Sequence, residues 1–434
     1  MSWRGKEASP KRKGIVTVLD VGSSKVCCIV ARLRPSEDSQ LLKGRTHSVQ
    51  VIGIGHQKSQ GVKSGVVVDL DRAEGAIRLA VDAAERIAGI TVDSLFANVS
   101  AGRLRSETFG ATVKLGGHEV DASDVDRVLA AGTRQSLRAE RQVVHSLPVG
   151  FSIDTERGVR DPSGMVGEEL GVKMHVLTGD AAPLRNLELA INRAHLSVER
   201  MVATPYASGL AALVDDELEM GAACIDMGGG TTTISVFSDG KFVYADALPI
   251  GGNHVTMDLA RGLSTRLEDA ERLKVMHGSI LPGLSDERDI VSYQPIGADE
   301  MDAPIQIPRS VMSRIIRARV EETLEMLRDR LNKSGFSAAV GKRVVLTGGA
   351  SQLAGLPEAA RRILGRNARI GRPLGVAGLP EAAKGPAFSA AVGLLVYPQI
   401  ASFENRSHGK LSSMRSTGTG GRLNRVGQWL KESF

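Results

Sequence analysis

Cys224–Phe237 reads CIDMGGGTTTISVF: an aspartate, three consecutive glycines and three consecutive threonines set between two runs of strand-forming residues. Three glycines weaken a strand that they interrupt, because each loses backbone entropy and offers no side chain to pack. A tight hairpin turn is one explanation. A second is a backbone that must approach something closely. Gly14–Val30 (GIVTVLDVGSSKVCCIV) repeats the plan, with an apolar strand ending in Asp20, then Gly22, two hydroxyl residues and a second apolar strand. A third glycine turn lies in Lys342–Leu353 (KRVVLTGGASQL), after the strand Val344-Val345-Leu346 and before a helix.

Three such junctions in this order point to a nucleotide clamp. Amides of a glycine turn reach phosphate oxygens because no Cβ intervenes, and the turn makes an anion-binding concavity. Asp20 and Asp226 would hold a hydrated Mg²⁺, which retains water and takes few carboxylates. Neither hairpin contains the GxxxxGK[ST] of a P-loop. A dinucleotide fingerprint needs GxGxxG between strand and helix. Here β-branched residues follow the glycines and predict a second strand.

A chain of 434 residues accommodates two or more domains, and 42% hydrophobic with 24% charged residues is the balance of a globular protein. No apolar run reaches the roughly 18 residues that span a bilayer. The basic N-terminus lacks the apolar core of a signal peptide, which predicts a cytoplasmic protein. Cys27, Cys28 and Cys224 sit in predicted strands without CxxC spacing and read as reduced core residues. The net charge is +6, but residues 1–14 carry five basic and one acidic residue and residues 403–434 carry six and two. Each tail is therefore +4 and the body about −2, so no basic nucleic-acid face is predicted.

Coarse patterning predicts a helix from about Asp71 to Ala88 with Ile77, Val81, Ala84 and Ala88 on one face. Residues 92–164 alternate like a β-β-α-β packet, with 95–115 read as a hairpin. A helix carries Glu271 and Lys274, and Arg309–Gly335 forms a long one with Val311, Ile315, Ile316, Val320, Leu324, Leu327 and Leu331 apolar. Residues 403–420 read as a polar linker.

The stretches DVGSSKV, IDMGGGTT, DAERLKVMHG, VVLTGGASQLAGL, FSAAVGLLVY and RLNRVGQWLKESF together resemble the actin/Hsp70/sugar-kinase ATPase superfamily, and within it the FtsA family of actin-like cell-division proteins. The resemblance implies an α/β, two-lobed actin-like ATPase fold with a small inserted α+β subdomain and a C-terminal amphipathic helix on a flexible linker. It divides the chain into a basic tail (1–14), a first lobe (15–202, insert 92–164), a second lobe (203–384, partner-binding subdomain 259–338), a return helix (385–402), the linker and the terminal helix (421–434). It implies ATP as ligand. Asp20, Gly22, Ser23, Ser24 and Lys25 would form the first phosphate hairpin, and Asp226, Gly228, Gly229, Gly230, Thr231 and Thr232 the second. Glu271 and Lys274, one turn apart on one helix face, would touch ribose and adenine; a surface ion pair is the simpler reading of those two alone. Gly348, Gly349 and Ser351 would pass beneath the base.

In the superfamily that the chain resembles, members that hydrolyse ATP well often carry an acid before the proline of the connecting helix, whereas Thr204 precedes Pro205 here. A threonine is no general base near neutral pH, so slow hydrolysis is expected, with nucleotide as a polymerisation switch. The resemblance further implies binding of the C-terminal peptide of the tubulin-like FtsZ, self-polymerisation, later division partners and residence at the division site on the cytoplasmic side of the inner membrane. Arg309 and Arg319 are the cations assigned to the acidic FtsZ peptide, against a reading as solvated helix charge. A small-molecule kinase of the same superfamily is the alternative. It would need an acid to deprotonate its substrate, and none stands near the hairpins.

On an ideal helix Leu423, Val426, Trp429, Leu430 and Phe434 fall in an arc of roughly 140°, with Arg422, Arg425 and Lys431 as basic flanks. Thirteen residues rise about 20 Å, too short to span. A tryptophan-bearing face with basic flanks suits an anionic membrane surface, the alternative being docking on protein. Five such side chains give about 8–10 kcal/mol if fully buried, less the ordering cost of the tail, so a single tail holds weakly and many along a polymer hold firmly.

Overall fold

The computed structural model describes residues 14–35, 45–100, 103–134, 140–283, 286–297 and 303–400. The basic tail, the linker at 403–420 and the terminal helix with Leu423, Val426, Trp429, Leu430 and Phe434 lie outside the described residues.

In the first lobe β1 (Ile15–Val21), β2 (Lys25–Pro35) and β3 (His47–Lys58) form an antiparallel meander. A short ribbon, β4 (Val62–Lys63) with β5 (Val66–Val67), precedes α1 (Leu70–Ala88). The Asp69 carboxylate caps α1 by accepting from Arg72 N at 3.1 Å, and Gly89 ends it in the left-handed region at φ 67°. Ile77, Val81 and Ala84 are buried as the periodicity predicts; Ala88 packs at the core's margin. α1 lies directly on β3 because Gly53 and Gly55 leave room: a Cβ there would fall 2.4 Å from Ala84 O and 2.1 Å from Ala80 O. β6 (Ser94–Val99) pairs parallel with β1.

The inserted packet comprises β7 (Arg105–Lys114), α2 (Ala122–Arg134), β8 (Arg141–Ile153), β9 (Glu156–Val159) and β10 (Glu169–Asp180), in sheet order β7-β10-β8-β9. It has its own core, where Val125, Val128 and Leu129 meet Leu170, Val172, Met174 and Val176. The bounds differ from the 92–164 of the sequence reading at both ends. β6 and β7 are not a hairpin: β6 belongs to the first-lobe sheet and is buried along nearly its whole length, as a parallel strand covered on both faces is. β10 belongs to the packet, not to the resumed first lobe.

After α3 (Ala181–Arg193), β11 (Ser197–Ala203) pairs parallel with β6. The second lobe opens with α4 (Thr204–Ala212), Pro205 in its first turn, and α5 (Asp215–Met220). A second meander follows, β12 (Ala222–Met227), β13 (Thr232–Ser238) and β14 (Lys241–Leu248). Then come α6 (Gly252–Leu263), α7 (Leu267–His277), the ribbon β15 (Ile290–Tyr293) with β16 (Ile305–Pro308), and α8 (Arg309–Lys333). On α8, Ile316, Val320, Leu324, Leu327 and Leu331 are buried, while Val311 and Ile315 are partly buried. β17 (Arg343–Thr347), α9 (Leu356–Leu364) and β18 (Asn367–Ile370) complete the lobe. β19 (Val376–Ala377) and α10 (Ser389–Ile400) return to the first, α10 being buried in its core.

The two lobe sheets repeat one plan. The orders β3-β2-β1-β6-β11 and β14-β13-β12-β17-β18 each consist of an antiparallel meander extended by two parallel strands. The repeat makes Asp20 and Asp226 equivalent, since each is the penultimate residue of its lobe's central strand. Cys27, Cys28 and Cys224 are buried free thiols.

Candidate functional site

Both glycine turns close in the same way. Gly22 N donates to Lys25 O at 2.9 Å and Gly228 N donates to Thr231 O at 2.9 Å. The strand–turn–strand reading therefore holds for both. The turns face one another and interlock: a Cβ on Gly229 would fall 1.8 Å from Ser24 Oγ, and one on Gly230 2.4 Å from Ser23 Oγ. Between the lobes lies a cavity of about 520 Å³. The sequence-predicted Asp20, Gly22, Ser23, Ser24, Lys25, Asp226, Gly228, Gly229, Gly230, Thr231, Glu271, Lys274, Gly348 and Gly349 all line it.

Thr232 and Ser351 do not line the cavity; they brace its walls. Thr232 Oγ1 donates to Ile250 O at 2.7 Å, and Ser351 Oγ donates to Gly348 O at 2.7 Å. Ser351 closes the turn that carries Gly348 and Gly349 to the cavity, whereas Thr232 ties the start of β13 to the loop after β14. Gly348 has φ 83°, and a Cβ there would lie 2.2 Å from Asp226 Oδ1.

The two carboxylates are buried and held from behind. Asn98 Nδ2 donates to Asp20 Oδ1 at 2.6 Å while Asn98 Oδ1 accepts from Val21 N at 2.7 Å. Asn98 Nδ2 also reaches Thr204 Oγ1 at 3.2 Å. Ser208 Oγ donates to Asp226 Oδ2. Burial pushes the Asp20 carboxyl up. It pushes Asp226 up to about 6, Asp20 adding to that rise and the Ser208 bond opposing it. Two buried carboxylates, both raised by burial and Asp226 also by Asp20, form a donor set that a divalent cation would relieve. No group of three or more metal-ligating side chains occurs among the described residues. The set thus fits a hydrated Mg²⁺ carried with phosphate better than a cation in an all-protein cage.

Glu271 and Lys274 pair as spaced, at 2.6 Å, but not on open surface. Lys274 is buried to 9% exposure and its Nζ donates to Gly252 O at 3.2 Å and Thr256 Oγ1 at 2.8 Å. The ammonium ties α7 to the start of α6 beside the second glycine turn. Lys25 Nζ donates to Ala387 O at 2.6 Å and stands 3.2 Å above the Phe388 ring centroid.

Asn98, Ser208 and Phe388 escaped the sequence reading of the site, which took Thr204 only as a missing base and not as a partner of Asn98. None stands in a glycine turn, and Asn98 and Ser208 carry no local signal beyond a polar residue in an apolar stretch. Arg309 and Arg319, assigned to a partner peptide, are engaged internally. Arg319 straddles Asp258, with Nε–Oδ2 at 2.5 Å and Nη2–Oδ1 at 3.2 Å, and pairs with Glu322 at 2.6 Å. Arg309 Nε donates to His277 O at 3.1 Å and the guanidinium lies 3.7 Å from both Asp286 and Asp289.

Comparison with known proteins decides the family. The chain is 66% identical over 432 residues to the cell division protein FtsA of Rhizobium meliloti (strain 1021), covering 99% of this chain and 97% of that one. It is 32% identical to FtsA of Pseudomonas aeruginosa, covering 90% of each. The chain belongs to the FtsA family of cell division proteins. Family models agree in parts: residues 223–393 match "Cell division protein FtsA", and residues 101–178 match "SHS2 domain inserted in FTSA". The second match covers the β7–β10 sheet to within two residues of the end of β10 and supports the revised bounds of the packet. The fold resembles solved actin-like structures. The PilM-PilN type IV pilus biogenesis complex matches with TM-score 0.61 at 16% identity, covering 89% of this chain and 98% of that one. MreB5 of Spiroplasma citri, solved with ADP, matches with TM-score 0.50 at 12% identity, covering 89% and 96%. These likenesses establish the two-lobed fold. The FtsA relatives establish the cell-division role, and with it leave the kinase alternative without support.

Proposed function

We propose that this FtsA-family chain binds ATP with Mg²⁺ between its lobes and uses the nucleotide to set lobe closure and polymerisation at the division site. One observation carries the reading: two equivalent glycine turns, each following a strand whose penultimate residue is an aspartate, face each other across one cavity. The amides of Gly22–Lys25 and Gly228–Thr231 grip phosphate oxygens. Asp20 and Asp226 are the residues that would hold Mg²⁺, which would supply neutralisation of phosphate charge there. Glu271 and Lys274 meet the ribose and base edge, with Gly348 and Gly349 beneath the base. Thr204 stands where a general base would be needed, so hydrolysis is slow and the nucleotide is mainly a switch.

The C-terminal amphipathic helix anchors polymers to the anionic cytoplasmic face of the inner membrane, and the chain tethers FtsZ there through its C-terminal peptide and helps recruit later division proteins. No helix among the described residues is long and apolar enough to cross a membrane. Arg309 and Arg319 keep a place in FtsZ binding only through the faces of α8 their ion pairs leave open.

Sedimentation with anionic vesicles tests the reading, with and without ATP, using full-length protein and protein lacking 421–434. Full-length protein should pellet, more so with ATP, and the shortened form should stay in solution. Pelleting that is indifferent to both ATP and the tail would reject it.

A further inference from the structure

Lys25 opens β2 on the first-lobe phosphate hairpin, yet its ammonium does not hang free in the cavity. It is partly buried, hydrogen-bonded to Ala387 O at 2.6 Å, and centred 3.2 Å above the Phe388 ring. That distance is full contact between an ammonium and the negative face of an aromatic quadrupole. Burial pulls the Lys25 pKa down, and the negative charges of Asp20 and Asp226 resist the fall.

The ring itself is on a rigid seat. Gly348 N donates to Pro386 O at 3.1 Å, and Thr347 Oγ1 contacts Pro386 O at 3.2 Å and Ser389 Oγ at 2.6 Å. The short segment Pro386–Ser389 is thus bonded to the glycine turn after β17 in the second lobe, while its ring and Ala387 carbonyl hold a lysine of the first. Ala387 and Lys25 both line the cavity. The geometry points to Phe388 as a positioning residue for nucleotide binding, its ring holding the Lys25 ammonium where the phosphates of the nucleotide are bound.

A lysine on a flexible stem loses rotamer entropy whenever it is fixed by a ligand. A ring that fixes it beforehand removes that cost from phosphate binding and leaves binding of the base untouched. Phe388 thereby contributes to the affinity for polyphosphate, not to the shape of the base pocket. This inference rests on the nucleotide reading above.

The test is the ratio of Mg-ATP affinity to adenosine affinity, read by competition against a fluorescent adenine nucleotide on the full chain. Phe388→Leu, and replacement of Phe388 by a trifluorinated phenylalanine that keeps the shape but drains the ring face, should each lower the ratio about 2- to 30-fold. Phe388→Tyr should restore it. In a Lys25→Met background neither change should alter the ratio. If Phe388→Leu fails to fold, the fluorinated ring carries the test alone. An unchanged ratio in protein that binds ATP overturns the proposal. So does an equal loss for ATP and adenosine, which would make Phe388 a packing residue only. Wild-type protein that binds no ATP overturns the nucleotide reading itself, and the inference falls with it.

Discussion

A Cβ on Gly229 would fall 1.8 Å from Ser24 Oγ, so the second glycine turn is bare because the first occupies its space. The contact joins residues of different lobes. A methyl forced into it makes the Ser24 side chain swing aside or one hairpin retreat, and overpacking of this kind costs typically 1–3 kcal/mol. Gly229→Ala should weaken Mg-ATP about 10-fold or more while leaving each lobe folded. Ser24→Gly in the same chain should recover most of that loss, because it returns the space. Titration calorimetry of the two variants checks both outcomes.

Ser208 is fully buried and donates to the Asp226 carboxylate. Ser208→Ala leaves that carboxylate without its partner in a site already unfavourable to charge. Stability should fall by about 1–3 kcal/mol by urea unfolding. Ser208→Thr, which keeps the hydroxyl, should lose less.

His175 of β10 is buried at the seam between the packet and the second lobe, with Nδ1 2.9 Å from Phe242 O and Nε2 2.6 Å from Ser106 Oγ. Burial drives its pKa down to about 4. The unfolded chain takes up a proton near pH 6.5 that the folded chain refuses until about pH 4. The unfolded state therefore binds more protons in that window, and stability rises with pH across it. The contribution of His175 is fully present above pH 6.5 and is lost as pH falls towards 4, by about 3 kcal/mol in all. In His175→Gln the slope of unfolding free energy between pH 5 and 7 should flatten. An unaltered slope would show that His175 does not set it.

Trp429 lies outside the described residues, and the sequence pattern alone predicts its place on the apolar face of the terminal helix. Trp429→Glu should abolish most pelleting with anionic vesicles, since a carboxylate replaces the largest apolar group at the interface. Undiminished pelleting would sink the anchor reading.

The hairpins were legible because everything that makes them is local: a carboxylate ending an apolar run, glycines, hydroxyl residues, then β-branched residues. α1 and α8 were legible for the same reason, their apolar period being written within one helix. What the chain hides is pairing over distance. β6 and β7 read as a hairpin because adjacent alternating runs normally pair, but β6 joins β1 and β7 joins β10. Asn98 reaches Asp20 across 78 positions, and Arg319 finds Asp258 across 61. No window of sequence contains both members of such a pair, so the props of the carboxylates and the internal use of the arginines emerge only in three dimensions.

Each repeat supplies one carboxylate and one bare ribbon, so neither half grips anything by itself. With the nucleotide bound as proposed, its affinity is a gauge of the angle between the halves. Whatever forces the halves apart, a neighbouring copy or a surface, must weaken the ligand by the same factor by which the ligand resists the opening. On the proposed nucleotide reading, the repeat makes assembly and occupancy two readings of a single hinge.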